Sequence, residues 1–356
     1  MSVILGIESS CDETAASIVI DGCEVRSNAI ASQIAKHAVH GGVVPELAAR
    51  EHLTAIDHIV SQALSDADIT IKDVDAIAVT NGPGLMPALV VGLNFARGLA
   101  VANNLPLIGS NHFLAHIYGA YLDNSEFLQN REEYPIISLV VSGGHTSLVL
   151  IEENGTTTIV GGTIDDAAGE AFDKGAKLLG LGYPGGPIVE KTGALGNPAK
   201  FAFPRPLTGE GGKRVSEENR FNFSFSGVKT ALLYHVKRER EAGSLEENFN
   251  DTVASYQEAI VDVLTRKTLK AAERYNAKTI VLAGGVACNG VLRNRFEEKF
   301  NDYNLRLAPR KYCTDNAAMV AGIGFHYLKK HDYTDYNIDA YARLPHITTV
   351  PFAQSE

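Results

Sequence analysis

Only four cysteines occur in 356 residues, at Cys11, Cys23, Cys288 and Cys313, and none stands in a C-x-x-C pair. That spacing supports neither a zinc ribbon nor a disulfide framework, and it fits a reducing compartment. Net positive charge is also lacking. Lys and Arg number 32 against 42 Asp and Glu, a formal charge of −10. A chain of that sign does not coat nucleic acid through bulk electrostatics, although a local basic patch or a basic partner is compatible with it. The opening residues, Met1-Ser2-Val3-Ile4-Leu5-Gly6, have neither the basic start nor the long apolar run of a secretion signal. The most apolar stretch, Ala88 to Gly109, is broken by Asn94, Arg97, Asn103 and Asn104, which argues against a transmembrane helix. The expectation is a soluble, cytoplasmic protein with no membrane partner.

Two catalytic signatures are missing as well. No G-x-x-x-x-G-K-[ST] is present, and Gly211-Gly212-Lys213-Arg214 lacks the hydroxyl that a P-loop needs for magnesium. His112 and His116 are separated by Phe113, Leu114 and Ala115, so the Glu of an H-E-x-x-H metalloprotease is absent and peptide hydrolysis is disfavoured.

What is present is glycine, 33 residues of it, gathered in clusters where a backbone can turn sharply or approach a ligand. The length predicts two lobes. Two kinds of unit occur twice in the same order. Val3–Glu8, then Ser9-Ser10-Cys11-Asp12-Glu13-Thr14, then Ala15–Ile20 reads as strand, small-residue turn, strand. Ile136–Val141, Ser142-Gly143-Gly144-His145-Thr146 and Ser147–Ile151 repeat it. A buried strand, Gly-rich loop and helix follow each: Asp75–Thr80 with Asn81-Gly82-Pro83-Gly84, and Thr279–Ala283 with Gly284–Gly290. Strands that are apolar throughout are covered on both faces, which predicts an α/β fold. Leu47, Ile56, Ile59 and Ala63, and later Val253, Tyr256, Ile260, Val263 and Leu264, recur at helical spacing between these units. The expected lobes are residues 1–128 and 129–356, with an insertion around 165–230 in the second.

Two Gly/Ser hairpin tips, one per lobe, can clamp an anion through backbone N–H groups without any Lys. With the Gly-Gly strand end, this arrangement resembles the actin, sugar-kinase and heat-shock ATPase superfamily, whose duplicated ribonuclease H-like lobes hold a nucleotide between them. In that resemblance Ser142–Thr146 holds phosphate and Gly284–Asn289 lies against adenosine. Kinases of this group place an Asp where Ser142 stands, which weakens a kinase or ATPase reading. His112 and His116, at i and i+4, share one helical face and can reach one metal ion. Asp315 adds a carboxylate. It stands in Cys313-Thr314-Asp315-Asn316, where it would also serve as the N-cap of the apolar helix that follows. Two histidines and one carboxylate leave coordination positions open and suit iron(II) or zinc.

Gly6–Thr14, Gly41–Ala48, Gly82-Pro83-Gly84, Ser142–Thr146, Asp165–Lys174, Tyr183–Gly186 and Asn222–Gly227 together resemble the TsaD family, the tRNA threonylcarbamoyladenosine transferases. The resemblance runs from about residue 3 to about residue 325, and Phe203-Pro204-Arg205-Pro206 points to the bacterial and mitochondrial branch. It implies that His112, His116 and Asp315 are metal ligands. It also implies that Val141, Ser142, Gly143, Gly144, His145, Asp173, Gly186, Glu190 and Asn289 hold threonylcarbamoyl-AMP, with Asp173 and Glu190 on ribose hydroxyls. Two departures stand out: Leu114 where relatives often carry Glu, and a long loop at Gly209–Arg220.

In the implied reaction the mixed anhydride arrives activated, so no protein nucleophile is needed. The N–H groups of Gly143 and Gly144 would stabilise the departing AMP. Asp12 or Glu13 would accept a proton from the adenosine amine. A flipped-out, single-stranded adenosine suits a deep cleft. Arg205, Lys213, Arg214 and Lys229 are candidate phosphate contacts. Expected partners are tRNA and either a TsaB-like paralogue with a TsaE-like ATPase, or a second copy in a homodimer. An actin-like kinase, or an inactive scaffold of the same fold, is the alternative.

Overall fold

β1 (Val3–Glu8) is apolar until its last residue, and all six of its residues are buried. The sequence of the first unit continues through β2 (Glu13–Ile20), β3 (Glu24–Ser32), α1 (Ile34–Ala38), α2 (Pro45–Asp66), β4 (Ala76–Gly82), α3 (Met86–Asn103), β5 (Leu107–Asn111) and α4 (His112–Tyr118). The second runs through β6 (Ile136–Val141), β7 (Thr146–Ile151), β8 (Thr157–Gly162), α5 (Ala168–Leu179), α6 (Gly185–Gly193), α7 (Ser226–Glu241) and α8 (Phe249–Arg274). It closes with β9 (Thr279–Ala283), α9 (Gly290–Lys299) and β10 (Asn304–Leu307), after which come α10 (Arg310–Cys313) and α11 (Ala317–Lys329). These coordinates are a computed structural model that describes residues 1–123, 128, 130–212, 214–333, 336–343 and 349–353. Lys213, one of the candidate phosphate contacts, lies outside the described residues, as does most of 124–129.

The duplication expected from the two strand–turn–strand repeats is visible in the sheets. Their orders are β3-β2-β1-β4-β5 and β10-β9-β6-β7-β8, the same path run twice. In each, a central strand pairs antiparallel with its hairpin partner and parallel with the strand that precedes the Gly-rich loop.

The chain divides into two compact units, Met1–Glu133 with Glu152–Thr157 and Ala308–Glu356, and Tyr134–Ile151 with Thr158–Leu307. This corrects the expected division at 128/129, because the C-terminal segment belongs to the first unit. The reason is packing. Side chains alternate across β1, so Leu5 and Ile7 join Ile77 and Val79 in a core beneath α2 and α3, with Ile56, Val60, Leu93 and Ala96. Ile4, Gly6 and Ala78 face the other way, and α11 covers them. Gly6 lets that helix come close: a Cβ there would stand 2.2 Å from the Ala317 carbonyl oxygen. α3 alone among the described helices is long and apolar enough to cross a bilayer. It buries Leu93, Ala96 and Ala100 in this core, and its Arg97 guanidinium binds the carbonyls of Tyr336 and Ile338.

In the second unit β6 is buried along its whole length and packs against α8, where Val253, Tyr256, Ile260, Val263 and Leu264 are inaccessible to solvent. The 209–220 loop is tied down at both ends. Lys270 donates to the Thr208 carbonyl, and Lys267, fully buried, donates to those of Asn219 and Arg220.

Candidate active site

The three candidate metal ligands come together within the first unit. Asn111 ends β5 and caps α4, its side-chain oxygen accepting from the N–H groups of Phe113 and Leu114. That cap starts the helix at His112, so His112 and His116 share one face. Both are buried. Leu114, the departure from the family pattern, points into the core. Asp315 comes from the turn between α10 and α11. The expected N-cap role belongs instead to its neighbour Asn316, whose side chain accepts from Met319 N–H. Asp315 is thereby left to face the histidines.

The three ligand atoms form a tight triangle: Nε2 to Nε2 is 3.1 Å, and Asp315 Oδ1 lies 3.2 Å from His116 Nε2 and 3.6 Å from His112 Nε2. Bonds of ~2.1 Å to one ion would set such edges at ~3.0–3.4 Å, so the donor set fits a single divalent metal with open positions. Behind it stands Glu8, fully buried. Its Oε1 accepts from Ser10 N–H at 2.6 Å, and its Oε2 from the Thr80 hydroxyl at 2.6 Å. His112 Nδ1 is 3.0 Å from Glu8 Oε2 and 3.3 Å from Ser10 Oγ.

Burial opposes a charge on His112, but Asp315 and Glu8 outweigh it and push its pKa to about 9. Burial and the neighbouring His112 push His116 the other way. Glu8 is held below the usual carboxylate range, since the His112 charge and hydrogen bond overcome the burial that would raise it.

Asp12 and Glu13 sit at the β1–β2 tip of the same unit. Asp12 is buried, and Glu13 accepts from Ser32 Oγ. Burial first, then Asp315 and Asp12, raise Glu13 to about 9, so it is protonated at neutral pH. Burial likewise raises the Cys11 thiol, which is no nucleophile there.

The second unit gathers the residues implied to hold the adenylate. Ser142 N–H donates to the His145 carbonyl, closing the turn between β6 and β7. Gly143 and Gly144 are exposed, and a Cβ on either would meet nothing within 4 Å, so the tip of this turn is open to an incoming group. The N-terminus of α5 packs on this turn, with Gly169 N–H on the Ser142 carbonyl. Gly284, at φ 92°, brings the β9 loop against Val141, the last residue of β6.

Asp173, Glu190 and Asn289 are each anchored. Asp173 Oδ1 accepts from Gly185 N–H at 2.7 Å, and Glu190 Oε1 from Gly290 N–H at 2.9 Å. Asn289 caps α9 through Leu292 N–H and donates to Gln257 Oε1 at 2.8 Å. Gly186 lies in the first turn of α6 with open space at its Cα. Three side chains escaped the sequence reading: Glu8, Thr80 and Gln257. The one signal was for Glu8, a lone acid ending an otherwise apolar strand.

Of the candidate phosphate contacts, Arg205 pairs with Asp262 and Lys229 with Asp166, while Arg214 is exposed. Asp165 caps the start of α7, accepting from Ser224, Phe225 and Ser226, which explains why two quoted motifs meet.

Comparison with known proteins bears on the family and the fold. The family model for TsaD, tRNA N6-adenosine threonylcarbamoyltransferase, matches residues 24–322. A protein of that name from Moorella thermoacetica is 48% identical over 344 residues, 96% of each chain. One from Fervidobacterium nodosum is 46% identical, over 95% of this chain and 96% of its own. Among solved structures, component A of (R)-2-hydroxyglutaryl-CoA dehydratase from Acidaminococcus fermentans superposes with a TM-score of 0.53 at 15% identity, covering 93% of this chain and all of its own. HypF from T. kodakarensis gives 0.56 at 13%, covering 93% of this chain and 48% of its own. These two likenesses establish the actin-like α/β fold. With the family model spanning most of its length and near-full-length relatives at almost half identity, the chain belongs to the TsaD family of tRNA N6-adenosine threonylcarbamoyltransferases.

Proposed function

We propose that the chain takes threonylcarbamoyl-AMP and passes the threonylcarbamoyl group to the exocyclic amine of the adenosine next to the anticodon, in tRNAs reading codons that begin with adenine. The C–N bond to the base forms, the anhydride C–O bond breaks, AMP leaves, and the amine gives up a proton. The observation that carries this reading is the triangle of His112, His116 and Asp315, two buried histidines and a half-buried carboxylate. These residues would hold one divalent ion, iron(II) first and zinc second. Such an ion supplies a Lewis acid for the carbamoyl carbonyl.

The chain's own residues do the rest. Gly143 and Gly144 present N–H groups to the phosphate, where the charge of departing AMP develops. Asp173 and Glu190 accept from ribose hydroxyls, and their anchoring N–H groups fix them beforehand. Asp12, buried beside Glu13 at the tip of the β1–β2 turn, takes the proton of the attacking amine. We assign the reaction to the cytoplasm, with a TsaB-like paralogue and a TsaE-like ATPase, or a second copy of the chain, as partners. Arg214 is the remaining candidate among the described residues for a free phosphate contact.

The test supplies the adenylate and unmodified tRNA directly to wild type, His112→Ala and Asp315→Ala, with and without the partners. Wild type should transfer, and each variant should fall by at least about 100-fold, since losing one ligand misplaces the reacting carbonyl. Equal transfer by all three would remove the triangle from the chemistry.

A further inference from the structure

We infer that Glu8 is a positioning residue that fixes the tautomer of His112, and so sets how tightly this imidazole binds a metal. The inference rests on the metal reading above. His112 meets the triangle through Nε2, so a metal needs that nitrogen bare and the proton on Nδ1. In this structure Nδ1 faces Glu8 Oε2 at 3.0 Å, with the Ser10 hydroxyl farther away at 3.3 Å. A carboxylate can only accept, so Nδ1 must donate.

Glu8 itself has no freedom to turn. Ser10 N–H holds one oxygen and the Thr80 hydroxyl the other, in a site closed to solvent. The charge also counts. Glu8 and Asp315 together bring two negative charges to two neutral imidazoles, which balances a dication in a buried place where one uncompensated charge is costly.

The same hydrogen bonds make Glu8→Gln a sharp substitution. Ser10 N–H is a fixed donor and would draw the amide oxygen to the Oε1 position. The amide NH₂ then stands where Oε2 was and donates to the Thr80 hydroxyl oxygen and to His112 Nδ1. Ser10 N–H, the amide and His112 Nδ1 all keep partners, and the Thr80 hydroxyl proton alone loses its acceptor, so the substitution costs one buried hydrogen bond and leaves the rest of the site in place. His112, however, becomes an acceptor at Nδ1 and carries its proton on Nε2, in the place of the metal.

Cobalt(II) binding, followed by its visible spectrum in competition with a chelator, is measured for wild type, Glu8→Gln and His112→Ala. Long-range nitrogen–proton spectra of histidine-labelled protein report the His112 protons, with zinc(II) added to the wild type. The expected outcome is a 10- to 100-fold loss of cobalt affinity in Glu8→Gln protein that still unfolds cooperatively. His112 Nδ1 should carry a proton in the wild type and be bare in the variant. Affinity in Glu8→Gln equal to wild type, while His112→Ala loses the metal, overturns the positioning role alone. Cobalt uptake by His112→Ala equal to wild type, or none by wild type, overturns the metal reading and this inference together. The zinc-loaded wild type decides even if Glu8→Gln does not fold, because zinc on Nδ1 of His112, or a bare Nδ1, contradicts the assignment.

Discussion

Gly6→Ala tests the link between packing and the metal set without touching a ligand. A Cβ at Gly6 would stand 2.2 Å from the Ala317 carbonyl oxygen, 2.8 Å from Ala321 N and 2.9 Å from its Cβ. Two of these atoms are backbone, so no side chain can swing aside. Restoring an ordinary contact of roughly 3.5 Å means moving α11 off β1 by about 1 Å. Overpacking of this kind costs about 1–3 kcal/mol, or a fall of roughly 2–12 °C in the unfolding temperature of a unit this size.

The same shift carries Asp315, two residues before Ala317, away from α4. Its carboxylate now stands 3.2 and 3.6 Å from the two histidine nitrogens. An added ~1 Å would put both edges beyond what a single ion with ~2.1 Å bonds holds comfortably. Scanning calorimetry and metal content after dialysis in a metal buffer measure the two effects together. Gly98→Ala is the control: a Cβ at Gly98, in α3, meets nothing within 4 Å, so the variant should gain about 0.5–1 kcal/mol and keep its metal. Gly6→Ala protein with wild-type unfolding temperature and full metal content would refute the coupling between α11 and the triangle.

Two further predictions follow the same logic. His326 donates to the Tyr118 hydroxyl oxygen, which gives its own proton to the Gly22 carbonyl, and burial first, then Lys329 and Lys330, lower its pKa to about 4. The unfolded chain takes up that proton near pH 6.5, so the stabilisation is whole above 6.5 and is lost as pH falls toward 4. The slope is at most about 1.4 kcal/mol per unit, on the order of 2 kcal/mol in all for a half-buried ring. Denaturant unfolding at pH 7 and pH 5 should show a smaller acid loss in His326→Gln than in wild type, and parallel losses would remove His326 from the acid limb. In the second unit, Gly284→Ala puts a Cβ 2.4 Å from the Val141 carbonyl oxygen at a φ of 92°. Strain of about 1–3 kcal/mol there should weaken AMP binding tenfold or more by calorimetry, and unchanged affinity would separate this loop from the nucleotide.

The duplicated α/β plan could be read in the sequence because the same interruption occurs twice: an apolar strand, a Gly/Ser/His or Ser/Cys/Asp tip, and another apolar strand. That His112 and His116 would share a face follows from their spacing alone. The place of α11 could not be read. Its sheet-facing side is made of Ala317, Ala321 and Gly324, small residues that would fit against either sheet, and only the matching gap at Gly6 selects the first. The neighbouring Asp315 and Asn316 are equally good caps on paper, and the backbone entering α11 decided between them. Glu8 and Gln257 were invisible as partners because what defines them is the atom opposite, on a strand or helix far along the chain.

Residues 134–151 and 158–307 are inserted within the sequence of the first unit, whose final helix comes after them. During synthesis, therefore, both histidines leave the ribosome roughly two hundred residues before the carboxylate that joins them. The inserted unit has all its strands in hand while the first still lacks α11 and has Ile4, Gly6 and Ala78 uncovered. A chain stopped before residue 315 presents two histidines and no third ligand. On the metal reading proposed above, metal uptake would report that synthesis has passed Asp315, and a product cut short before it would fail to hold the ion.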